Sequence, residues 1–118
     1  MEVKQTIPCL DYELLQGYLD SLGKNIVEKM FSLYCQQVDI YLTDISNAQL
    51  NDNVIAWREN CHKMKGAAAS VGMTYLHSQL KSLETTTASQ EEKALMLADL
   101  KVANTEAISA FIIWLKDC

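Results

Sequence analysis

The sequence predicts an all-α protein, an antiparallel four-helix bundle with a short N-terminal capping helix. Three observations predict it. Apolar residues recur at steps of three and four through most of the chain, the period of a helix that buries one face. No segment alternates apolar and polar residues cleanly, and no Asn-Gly or Asp-Gly hairpin turn occurs. The one proline, Pro8, precedes the first periodic segment, so no proline interrupts a helix downstream.

Five helices are expected. The first runs from about Asp11 to Leu22, with Asp11 as N-cap and Gly23 just beyond its end. The second runs from about Asn25 to Gln49, and Asn25 followed by Glu28 has the form of a capping box. Its apolar row is Val27, Phe31, Tyr34, Val38, Tyr41 and Ile45. The third starts near Asp52 and carries Val54, Trp57, Cys61, Met64, Ala68 and Val71 in three-four steps. Gly72 is placed to end it, with Met73 available for the apolar contact that accompanies such a cap. The fourth begins near Thr74 and buries Leu76, Leu80 and Leu83. Thr85 to Ala88 is a polar break, after which Ser89 and Glu92 form a capping signature for the fifth helix. That helix reaches about Lys116 and packs through Leu97, Leu100, Ile108, Phe111 and Leu115. Short connections between helices of this length give antiparallel packing, with the first helix covering one end. The connection between the third and fourth is very short, so these two form a hairpin.

The 118 residues suit a single domain spanning 1–118, and an apolar share of 49% is enough to fill one core. The formal charge of −5 argues against a nucleic-acid partner, which requires a basic face. No apolar run follows the opening Met1 to Thr6, so no signal peptide is expected. No apolar stretch approaches the ~20 residues of a membrane helix. A cytoplasmic location is the expectation, without membrane association. Cys9, Cys35, Cys61 and Cys118 are widely and irregularly spaced and read as incidental thiols. A zinc site is poorly supported, since the adjacent Cys61 and His62 point about 100° apart on a helix. No metal ligands are assigned.

The segment from His62 to Gly72 departs most from ordinary helix design. His62 lies one position past the buried row and leans toward solvent at the core edge. Arg58, Lys65, Gly66 and Ala69 share its face at spacings of three, four and seven. A mid-helix glycine costs ~1 kcal/mol relative to alanine. Clearance is a physical reason for one: with no side chain a turn above His62, a partner surface can approach the imidazole. Any one of these residues alone is unremarkable; their combination on one helix face points to chemistry at His62.

His62-x-x-Lys65-Gly66, continued by Ala67, Ala68, Ser70 and Gly72, resembles the motif of the histidine-containing phosphotransfer (HPt) domain. Within that family the motif is most similar to the phosphotransfer domain of Arc-type anaerobic sensor kinases. The resemblance runs from about Leu10 to Leu115 and is concentrated around His62. It implies a capped four-helix bundle, here a freestanding phosphocarrier and not an enzyme, in a two-component phosphorelay. His62 would accept a phosphoryl group from the aspartate of a receiver domain of a hybrid sensor kinase and pass it, reversibly, to the receiver of a response regulator.

The resemblance also implies that Glu84, on the next helix, accepts a hydrogen bond from the imidazole. The Arc-type domain has glutamine there, so this chain departs from that relative but not from the wider family. Hairpin geometry agrees: Glu84 lies about as far beyond a turn near Gly72 as His62 lies before it. Glu84 would keep the proton on Nδ1 and leave Nε2 to attack. Lys65 would contact the phosphoryl oxygens, while Arg58 and Lys63 add positive potential for an acidic receiver. Gly66, Ala69 and Met73, with Leu76, would complete the receiver-docking face. No cofactor is expected on this chain, the Mg²⁺ belonging to the partner receiver domain, and a monomer is expected.

Rival readings are weaker. A histidine kinase requires a nucleotide-binding domain, for which there is neither a glycine-rich loop nor room, and Lys63 stands where kinases usually carry an acidic residue. A carboxylate-bridged di-iron bundle needs two Glu-x-x-His motifs; Glu59 and His62 supply one, but His77 has Thr74 three residues before it. A docking bundle without chemistry would not need His62. His77, near Lys81 and Glu84 on its helix, reads as a surface residue, with a place on the docking face as the alternative. Tyr34, Tyr41, Trp57 and Trp114 read as core or core-edge packing.

Overall fold

The structure, a computed structural model, describes residues 8–118. The opening from Met1 to Thr6, on which the expectation of no signal peptide rests, lies outside the described residues. Five helices follow one another: α1 (Tyr12–Leu22), α2 (Lys24–Leu50), α3 (Val54–Ser70), α4 (Thr74–Glu84) and α5 (Gln90–Lys116). α2 through α5 form an antiparallel four-helix bundle and α1 covers one end, as the periodicity predicts. None of these helices is long and apolar enough to cross a membrane.

The two long helices set the frame. α2 and α5 have 27 residues each, about 40 Å at 1.5 Å per residue. They pack antiparallel in one register from end to end. Phe31 stacks on Phe111 with centroids 4.3 Å apart, and the buried Tyr34 hydroxyl donates to Asn104 Oδ1 at 2.9 Å. At the far end the Gln49 and Gln90 side chains donate to each other's backbone carbonyls at 2.9 and 3.0 Å. α3 and α4 form the opposing hairpin. Trp57, Cys61, Met64 and Ala68 of α3 are buried, as are Leu76, Leu80 and Leu83 of α4. The capping box of α5 is present, with Ser89 and Glu92 each bonding the other's backbone N–H.

Both ends of α3 are set by left-handed residues. Before it, Asp52 (φ 50°) closes α2, with its N–H on Gln49 O and the Asn53 N–H on Ala48 O. After it, Gly72 (φ 70°) closes α3 in the same way, its own N–H on Ala69 O and the Met73 N–H on Ala68 O. α1 settles on this second turn. The Asp11 N–H donates to Gly72 O at 2.8 Å, and a Cβ at Gly72 would come within 3.2 Å of Leu15 Cγ. That position requires glycine for its dihedral and for its neighbour at once.

Two sequence expectations are corrected, the cap of α2 and the place of Val54. Asn25 and Glu28 make no capping box; α2 starts at Lys24, and its N-cap is Gly23 with no side-chain bond. At φ 83° Gly23 ends α1 through its N–H and opens α2 through its carbonyl, leaving no linker in which Asn25 could cap. α3 starts close to Asp52 as expected, capped by Asn53, whose side chain accepts from the Ala56 N–H, while Asp52 closes α2. Val54, the first residue of α3, is exposed at the bundle tip and not part of the buried row.

Candidate functional site

His62 owes its position to the row beneath it. Trp57, Cys61, Met64 and Ala68 point inward, so the residue after Cys61 emerges at the edge of the core, its side chain 68% exposed. The α3–α4 hairpin brings the last residue of α4, Glu84, alongside. His62 Nδ1 lies 2.6 Å from Glu84 Oε1, and Lys65 Nζ donates to Glu84 Oε2 at 2.5 Å. One carboxylate thus bridges two side chains a single helical turn apart, each oxygen taking one partner.

This arrangement fixes charges and protons. The hydrogen bond from Lys65 holds the Glu84 carboxyl below the usual glutamate range, against partial burial, and the His62 bond and the positive charges of both residues add to the effect. An ionised carboxylate only accepts hydrogen bonds, so the proton in the 2.6 Å contact sits on Nδ1. In the neutral ring the lone pair is then on Nε2. Lys65 is half-buried and occupied by Glu84, so its reach toward an incoming phosphoryl group is preceded by this ion pair.

Around His62 the surface is open. Arg58 and Lys63 are exposed, and with Glu59 and Glu84 they line a shallow hollow on one side of the imidazole. On the other side His62, Lys63 and Gly66 face Leu33 and Tyr41 of α2 across a groove. Gly66 is exposed, and a Cβ added there would meet nothing within 4 Å. No contact within the fold requires this glycine. Ala69 is exposed a turn further on, beside α1, next to a half-buried His77.

Met73 is a correction. It was expected on a docking face with Leu76, yet both are 0% exposed. The residue that follows a left-handed cap folds back onto the helix it ends, and here α1 closes over it. Met73 serves the core, where burying such a side chain is worth about 1.5–3 kcal/mol. Sequence reading also missed α2 as a wall of the site. Leu33, which lines the groove, is 55% exposed; it falls out of phase with the buried row, and that mismatch was the available signal. Trp57 is buried, as expected of a core residue, and its Nε1–H donates to the Leu83 carbonyl at 2.8 Å, one residue from Glu84.

Comparison with known proteins agrees with this architecture. The family model described as Hpt domain matches residues 29–110. No curated protein matches the sequence. Among solved structures, the histidine-containing phosphotransfer domain of ArcB from Escherichia coli has the same fold, with a TM-score of 0.82 at 19% identity over 92% of this chain and 94% of that one. The matched stretch takes in most of the bundle, including His62, Lys65 and Glu84, and on that basis the chain belongs to the Hpt domain family, the phosphotransfer domains of two-component signalling.

Proposed function

We propose that this chain is a phosphorelay intermediate that carries a phosphoryl group on Nε2 of His62. The observation that carries the reading is the pairing of an exposed imidazole with a carboxylate on Nδ1. In the forward step the Nε2 lone pair attacks the phosphorus of a receiver's phosphoaspartate. The N–P bond forms as the acyl P–O bond breaks, and the aspartate leaves as a carboxylate. The product is a phosphoimidazole whose ring keeps its Nδ1 proton and has become cationic, a charge that Glu84 stabilises across their hydrogen bond. The reverse step returns the group to the aspartate of a second receiver by the same geometry. Lys65 neutralises Glu84 while the site is empty, and Lys63 and Arg58 supply positive potential for an acidic partner.

In this reading the receiver sits over Gly66, with Leu33 across the groove giving an apolar contact. Mg²⁺ and the remaining machinery belong to the receiver, and the chain acts in the cytoplasm as a monomer without turnover of its own. The test is transfer from a receiver carrying radiolabelled phosphoryl, in the presence of Mg²⁺, to the wild type and to His62→Gln. Label that reaches only the wild type and is acid-labile but base-stable supports the reading. Absence of label across several receivers would favour a bundle that docks without chemistry.

A further inference from the structure

We propose that Trp57 is a positioning residue of the histidine site: its indole N–H, bonded to the Leu83 carbonyl, holds the end of α4 so that Glu84 meets Nδ1 of His62. The inference rests on the role given above to Glu84 and extends it one layer inward.

The need for such a device is visible in α4. Its last carbonyls lack intrahelical partners, as at every helix end. α2 and α3 solve the problem with left-handed caps at Asp52 and Gly72. α4 ends instead at Thr85 (φ −104°, ψ 6°) and runs into the extended break before α5. Without a left-handed cap, its last carbonyls are met in part locally, by the Thr85 hydroxyl on Lys81 O at 3.3 Å, and in part from outside, by Trp57 on Leu83 O. The Leu83 carbonyl takes the Trp57 Nε1–H at 2.8 Å in a buried setting, against 3.3 Å for the Thr86 N–H. Glu84 is the next residue and the last of the helix.

Trp57 is itself clamped. It is 1% exposed, and the ammonium of Lys93, a buried residue at the start of α5, lies 5.2 Å from its ring centroid. One side chain of α3 therefore ties α4 to α5 at the level where Glu84 must sit. His62 and Trp57 share a helix, so fixing α4 against Trp57 also fixes the distance from Glu84 to His62.

The test replaces Trp57 with β-(3-benzothienyl)alanine, which keeps the bicyclic shape and loses the N–H, and in parallel with Phe. Glu84→Ala is carried as the reference. The readouts are the tautomer of His62, from ¹⁵N shifts and long-range couplings of the ring, and the rate of phosphoryl acceptance from a receiver. The benzothienyl variant is expected to fold with an unchanged helical circular dichroism spectrum. It should lose the bias toward the Nδ1–H tautomer and slow acceptance roughly tenfold, the lower range for losing the support of an orienting carboxylate. Trp57→Phe should shift both readouts in the same direction. A folded benzothienyl variant with the wild-type tautomer and rate would reduce Trp57 to core packing and overturn the inference, while an impaired Glu84→Ala beside it would leave the role of Glu84 standing. A Glu84→Ala variant that matches the wild type would overturn both.

Discussion

Adding a methyl group at Gly66 should make the protein more stable and less active, and the two effects can be sized separately. Gly66 sits mid-helix in α3, where alanine is favoured by ~1 kcal/mol. A Cβ there meets nothing within 4 Å, so no steric cost within the fold offsets that gain. For 118 residues the unfolding entropy is about 0.25 kcal/mol/K, which converts the gain to a rise in Tm of about 4 °C. Docking is affected the other way. The methyl projects one turn from His62, and a receiver pushed back by about 1 Å loses on the order of 100-fold in transfer rate. Gly66→Leu should keep at least wild-type stability and transfer even less. Calorimetry and a phosphotransfer time course measure the two quantities. A lowered Tm would show that the fold needs this glycine after all, and wild-type transfer by both variants would remove the clearance argument.

Three further predictions follow from the same structure. Glu84 has a folded pKa below its unfolded value, so its contribution to stability is present above the unfolded pKa and is lost as pH falls through the folded one; NMR titration should place its midpoint below 4.5, the ordinary value, and Lys65→Met should raise it. Burial, the largest cause, together with the charge of Glu84 pushes the Cys61 thiol up to about 12, so at pH 8 a disulfide reagent should leave Cys61 unreacted in the native protein while labelling the exposed Cys118. Asn104→Ala strands the buried Tyr34 hydroxyl and should cost about 1–3 kcal/mol in denaturant unfolding, with little effect on transfer.

What the sequence revealed and what it hid divide along physical lines. Periodicity located every helix because each buries one continuous face, and Gly72 and the Ser89–Glu92 box marked ends through local chemistry alone. One cap failed where two helices share a turn: Gly23 serves both α1 and α2, so the better-looking Asn25 loses its role to tertiary spacing. At the site, His62, Lys65 and Gly66 were legible as one face of one helix. Glu84 required hairpin geometry and a resemblance to the family, since nothing in its own surroundings distinguishes it. Met73 was misassigned because an apolar residue after a glycine cap can face either way, and only the seating of α1 on Gly72 decides. Lys93 and Asn104 were invisible as core residues, as polar side chains are buried only when a partner such as Trp57 or Tyr34 meets them.

The most direct test of the account is the position of the phosphoryl group on the ring. Protein labelled with ¹⁵N at histidine is phosphorylated by a receiver, and the phosphorus–nitrogen coupling is read by NMR. A phosphoramidate on Nε2 of His62 with the Nδ1 proton retained is expected, because Glu84 occupies Nδ1. Phosphoryl on Nδ1 of His62, or on His77, would contradict it.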